Sequence, residues 1–78
     1  QNFGFIVSNP FGHLLSIEFN QLIEHGYVRL YDLRGLKVFD KHCAQTNRLE
    51  FANDLDRGVY ILELQIGEVI EWRKLMRE

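Results

Sequence analysis

The chain has 78 residues, with nine Lys and Arg against eleven Asp and Glu for a formal net charge of −2, and 46% of its residues are hydrophobic. That suffices for one small domain, is too apolar for disorder, and lacks the net basic character that holds nucleic-acid phosphates. A domain this small buries only about 60% of the surface of its unfolded chain, which leaves little room for a deep internal pocket.

The single cysteine, Cys43, excludes an internal disulfide. No apolar run approaches the roughly 18 residues that would span a bilayer. Gln1–Asn2–Phe3 lacks the basic and apolar run of an export signal, and the chain does not begin with Met, so it is expected to be a piece of a longer protein.

In chain order, every strong local signal is a strand signal. Residues 5–7 are a short apolar run stopped by Ser8–Asn9–Pro10, where Pro10 holds Asn9 extended and offers no ladder donor. Leu15, Ile17 and Phe19 alternate with Ser16 and Glu18, the pattern of a half-buried strand. Residues 21–26 read as a connection ending at Gly26. Residues 27–33 form a strand with Val28 and Leu30 inward, and Asp32–Leu33–Arg34–Gly35 is a tight hairpin turn. Asp32 can accept from backbone N–H groups there, and Gly35 can take positive φ at low cost. The return strand, residues 36–43, has Val38 as its main core residue. A strand at residues 47–52 turns Leu49 and Phe51 inward and Glu50 outward, and residues 53–58 are a polar turn. Residues 58–65 place Tyr60, Leu62 and Leu64 on one face, Gly67–Glu68 turns the chain, and residues 69–76 close it. About seven short alternating strands, with no long segment of helical period, predict an all-β, immunoglobulin-like antiparallel sandwich of two layers.

Metal and catalytic chemistry find little support. His13, His25, His42 and Cys43 match no common zinc spacing. His42 and Cys43 are neighbours on a strand and so face opposite ways, while His13 and His25 sit beside turns. The carboxylates fall at turns and outward strand positions, where solvated surface charge is the expected role, and the glycines are scattered singly rather than gathered into a phosphate loop. No cofactor, metal site or enzymatic activity is expected. Tyr31, Phe39 and Trp72 could form an exposed binding patch, although covering the second half of the sandwich is the simpler role.

Three segments carry a resemblance. The first is Asn9–Pro10–Phe11 with the strand after it. The second is Val28–Arg29–Leu30–Tyr31–Asp32–Leu33–Arg34–Gly35, with Val38 beyond it. The third is Leu55–Asp56–Arg57–Gly58–Val59–Tyr60–Ile61–Leu62–Glu63–Leu64, followed by the closing strand and Lys74–Leu75. In order and spacing they resemble the type A C-terminal sorting domain of type IX secretion cargo, over residues 7–78. Ser8, Asp56 and Leu36 depart from that family's usual proline, proline and basic residue.

The resemblance implies a folded export signal at the end of a secreted protein of Gram-negative bacteria. Such cargo crosses the periplasm, is recognised by the outer-membrane translocon, and reaches the cell surface or medium, where a surface sortase or attachment proteins act on it. On that reading Asn9, Pro10, Leu30, Tyr31, Asp32, Gly35, Val38, Gly58, Tyr60 and Leu62 build turns and core. Arg73, Lys74, Leu75 and Arg77 are the expected recognition residues, clustered on the closing strand and tail, and the domain is expected to be monomeric. Strand addition to the free edge of that closing strand would let a partner read it, and removal of the tail would spare most of the fold. The alternative is an immunoglobulin-like binding or adhesion module for glycans or proteins, acting through Trp72 and Tyr31.

Overall fold

Alternation of apolar and polar residues produces strands because successive side chains leave opposite faces of an extended backbone. In the structure, a computed structural model that describes residues 3–78, these segments form five strands. They are β1 (Phe5–Val7), β2 (Leu14–Tyr31), β3 (Lys37–Ala52), β4 (Gly58–Ile66) and β5 (Val69–Arg77), and no helix occurs among the described residues. All pair antiparallel in one sheet of order β1-β2-β4-β5, with β3 on the other edge of β2.

The two long strands organise the sheet. The first half of β2 pairs with β1 through Phe5↔Phe19 and Val7↔Ile17. Its second half pairs with β4 through Val28↔Leu64 and Leu30↔Leu62, and β3 follows the opposite edge of both halves. Between Glu18↔Arg48 and Ile23↔Thr46 the ladder slips, with more residues on β2 than on β3, and Gln45 adopts a φ of 54°. Bulges of this kind bend strands and raise their twist. Phe39 and Phe51 measure the bend. A straight strand would separate them by about 40 Å at roughly 3.3 Å per residue, yet their ring centroids lie 5.3 Å apart. The sheet therefore curls over itself into a half-barrel, with Leu15, Ile17, Phe19, Val28, Leu30, Leu62 and Leu64 buried in the fold.

The expected sandwich of seven strands is thus corrected to five strands of one curled sheet. Residues 15–19 and 27–33, expected as separate strands, share β2, and residues 36–43 and 47–52 share β3. The expected connection at residues 21–26 is itself strand, and so is His25, which was placed beside a turn. Gly26 explains the misreading. It is not there to turn the chain. A Cβ on it would stand 2.6 Å from Ile66 Cδ1 and 3.3 Å from Cys43 Sγ, so glycine admits a close approach inside the sheet.

The local turn chemistry follows expectation. Asp32 Oδ1 accepts from the N–H groups of Arg34 and Leu36 at 2.9 and 3.0 Å, and Gly35, with φ 88°, donates to the Asp32 carbonyl at 3.0 Å. The Arg34 guanidinium bonded to Asp32 holds that carboxyl below the usual carboxylate range. Val38 is only half-buried, because the register slips between Leu30 and Tyr31 and Phe39 takes the place opposite Leu30. On β3 it is Cys43 that is fully buried, and burial raises its thiol pKa.

Candidate functional site

The Asn–Pro segment acts on the far end of the chain. After β1, Asn9 lies beside the free edge of β5. Its Nδ2 donates to the Lys74 carbonyl at 3.3 Å, and its Oδ1 accepts from the Met76 N–H at 3.0 Å. A side-chain carboxamide thereby takes the place of a neighbouring peptide group. The Asn9–Pro10 bond is cis, and beyond it Phe11 pairs in parallel with Arg77. The Phe11 N–H donates to the Met76 carbonyl and the Glu78 N–H donates to the Phe11 carbonyl, both at 2.9 Å. The Phe11 side chain is buried edge-on to Tyr60, whose hydroxyl donates to the Asp56 carbonyl at 2.7 Å.

A second tie meets the first. Asn53, a buried polar residue, donates from Nδ2 to the carbonyls of Gly12 and His13 at 3.1 Å each, and its Oδ1 accepts from Leu55 N–H and from Arg77 Nε at 3.3 and 3.0 Å. Sequence reading placed Asn53 in a polar turn and missed this role. All its partners outside its own turn are remote in sequence, so no local signal marked it.

The four expected recognition residues do not form one cluster. Along β5 alternate residues leave opposite faces. Arg73 points to the concave side and lies over the Phe5 ring, 4.3 Å from its centroid. Leu75 is 1% exposed and belongs to the core. Arg77 is held by Asn53. Only Lys74 projects from the convex face. Residues 74–78 contribute core packing and the hydrogen bonds to Asn9 and Phe11, contacts that stand against the expectation that removing the tail spares the fold. Strand addition to this part of β5 is also blocked, because Asn9 and Phe11 already occupy the edge.

The convex face has two parts. Over β2, β3 and β4 it is a network of mutually satisfied polar groups. Arg29 donates to Gln65 at 2.9 Å and to Glu63 at 3.4 Å, and the Tyr31 hydroxyl donates to Glu63 at 2.9 Å, which raises the Tyr31 pKa. Lys37 holds Asp40 at 2.7 Å and keeps that carboxyl below its usual range. Tyr27 lies under Arg29 and beside His42, and His42 lies 5.9 Å from His25 between ring centroids. Among the described residues no three His, Cys, Asp or Glu side chains converge on a metal-sized site. The possible patch of Tyr31, Phe39 and Trp72 is divided, because Phe39 faces inward against Phe51.

Over β4 and β5 the face is different. The ladder sets Met76 beside Val59, Lys74 beside Ile61, Trp72 beside Glu63 and Ile70 beside Gln65. Ile70, Trp72 and Met76 are 39%, 59% and 52% exposed. At the Met76 end lies an open cleft of about 340 Å³, walled by Asn9, Pro10, Val59, Lys74, Leu75 and Met76.

A family model described as the secretion system C-terminal sorting domain matches residues 8–78. No curated protein matches the chain. The match spans the Asn9–Pro10 lock, the Asp32–Gly35 turn, and all of β2 to β5, and begins just after β1.

Proposed function

The chain belongs to the family of type IX secretion C-terminal sorting domains, and from that premise we propose that the export machinery reads it as a folded body rather than as a linear tail. As a member of the family it is a sorting signal that directs export across the outer membrane to the cell surface or the medium. The observation that supports the folded reading is the lock on β5. A tail whose residues alternate between core and surface, and whose backbone is bonded to Asn9 and Phe11, presents a fixed shape only when the domain is folded.

On this reading the cargo precedes Gln1 and the fused protein passes through the periplasm. The outer-membrane translocon and then a surface sortase or attachment protein are its partners, and the domain is an address with no catalysis of its own. The test is a reporter fused ahead of residue 1 and expressed in a host with type IX secretion. The intact domain is expected to carry the reporter to the surface or medium. Phe11→Asp, which puts a charge in the core, is expected to leave it in the periplasm. Export of the Phe11→Asp fusion, with the domain shown unfolded by protease digestion, would overturn the folded reading.

A further inference from the structure

We propose that the convex row of β5, formed by Ile70, Trp72, Lys74 and Met76 together with the cleft beside Pro10, is the surface through which a partner protein docks. The partner would bring an apolar side chain to the cleft and a carboxylate to Lys74. This rests on the reading of the chain as a sorting signal and names the part of it that is read.

Three observations carry it. First, the other exposed large apolar residues are dispersed: Leu33 and Leu36 lie at the hairpin tip, Ile6 on β1, Leu14 and Leu22 on the first part of β2, and Tyr27 on its second part under the Arg29 guanidinium. On β5 three stand on one row at alternate positions, and the ladder adds the half-buried Val59 and Ile61 of β4 beside them. Contiguous apolar surface of that kind marks interaction sites, whereas single exposed residues do not.

Second, the charges on the convex face of the second half of β2 and of the β3 and β4 residues beside it are already paired, whereas Lys74 is not. Arg29, Asp40, Lys37 and Glu63 are joined to one another. Lys74 makes no ion pair among the described residues, and its neighbour across the ladder is Ile61. A lone ammonium within apolar surface is complementary to a carboxylate brought by another molecule, and such pairing sets orientation and specificity. A second copy docking through the same face offers a poor match, because Glu63, the carboxylate beside Trp72 on β4, is already held by Arg29 and Tyr31.

Third, the cleft is concave and its polar wall is occupied. The Asn9 carboxamide is committed to the β5 backbone, so Pro10, Val59 and Met76 offer an apolar seat for one side chain. Seats of this sort hold the anchor residues of protein interfaces.

The experiment measures reporter export and domain melting temperature together for the fused protein. Trp72→Ser and Lys74→Glu are each expected to lower export tenfold or more while the melting temperature stays close to that of the parent. Lys74→Arg and Leu22→Ser, the latter removing an exposed apolar residue far from the row, are expected to export normally. Because the Lys74 side chain is exposed and its carbonyl still accepts from Asn9, Lys74→Glu remains informative even if Trp72→Ser proves less stable. Export of both row variants at the parental level would overturn the docking surface and leave the sorting reading intact. So would a parent that sediments as a dimer and a Trp72→Ser variant that sediments as a monomer with export unchanged. No export by the parent fusion would overturn the sorting reading and this proposal with it.

Discussion

On β5, Leu75 is buried, Arg73 covers the Phe5 ring and Arg77 holds Asn53, whereas Trp72, Lys74 and Met76 face solvent from the positions between and beside them. One row closes the fold and the other is left over from it. The period of two along a strand allows one short segment to serve both ends, stability and recognition, with no residue asked to do both. Loss of export after a change in the tail therefore has two physically distinct causes, and adjacent substitutions separate them.

Removing Lys74–Glu78 should break the comparison most severely, because it deletes residues of both rows. With Leu75 gone and Asn9 and Phe11 left without their β5 partners, a small domain whose total stability is about 5–15 kcal/mol is expected to lose its cooperative thermal transition. A truncated domain that still melts cooperatively would show that β5 does not close the fold. Leu75→Ala tests the inner row alone. Its cavity should cost about 2–5 kcal/mol, read as a lower midpoint in denaturant titration. Asn9→Ala removes the carboxamide that imitates a neighbouring strand. Two hydrogen bonds of about 0.5–1.5 kcal/mol each set an expected loss of about 1–3 kcal/mol, and faster amide exchange at Met76 would place it on the β5 edge. Arg73→Ala should cost only about 0.5–1 kcal/mol, the worth of an exposed cation over an aromatic ring. Trp72→Ser lies at the foot of the scale. Its stability should remain within about 0.5 kcal/mol of the parent, and a larger loss would mean that the outer row also supports the fold.

How much of this was legible depended on the distance over which each feature is determined. The alternation of Leu15, Ile17 and Phe19, of Val28 and Leu30, and of Tyr60, Leu62 and Leu64 is local, and it placed buried residues correctly. The Asp32–Gly35 turn was legible for the same reason, since its hydrogen bonds close within the turn. The corner was not. Glu18–Ile23 and Gln45 bend two strands that remain paired, and a bend inside a ladder looks from either strand alone like an ordinary loop. Gly26 misled because glycine serves turns and close approaches alike, and only Cys43 and Ile66 show which it is. The tail was legible as a basic run, and the separation of its side chains was not. Basic residues at 73, 74 and 77 look like a cluster in sequence, but the alternation of the strand, Phe5 and Asn53 draw them apart. The Asn9 lock joins positions at opposite ends of the chain, and the pattern around Asn9 does not name its partner.

The union of residues 9–11 with residues 74–78 also has a consequence in time. Proteins emerge from the ribosome from the N-terminal end, and pairings between distant residues must wait for the later partner. Asn9 and Phe11 are made early and have nothing to bind until β5 appears. A polypeptide that stalls or is clipped before β5 cannot close the half-barrel, whatever precedes it. The edge of the half-barrel is thus completed late: the Asn9 and Phe11 pairings exist only once β5 has been made.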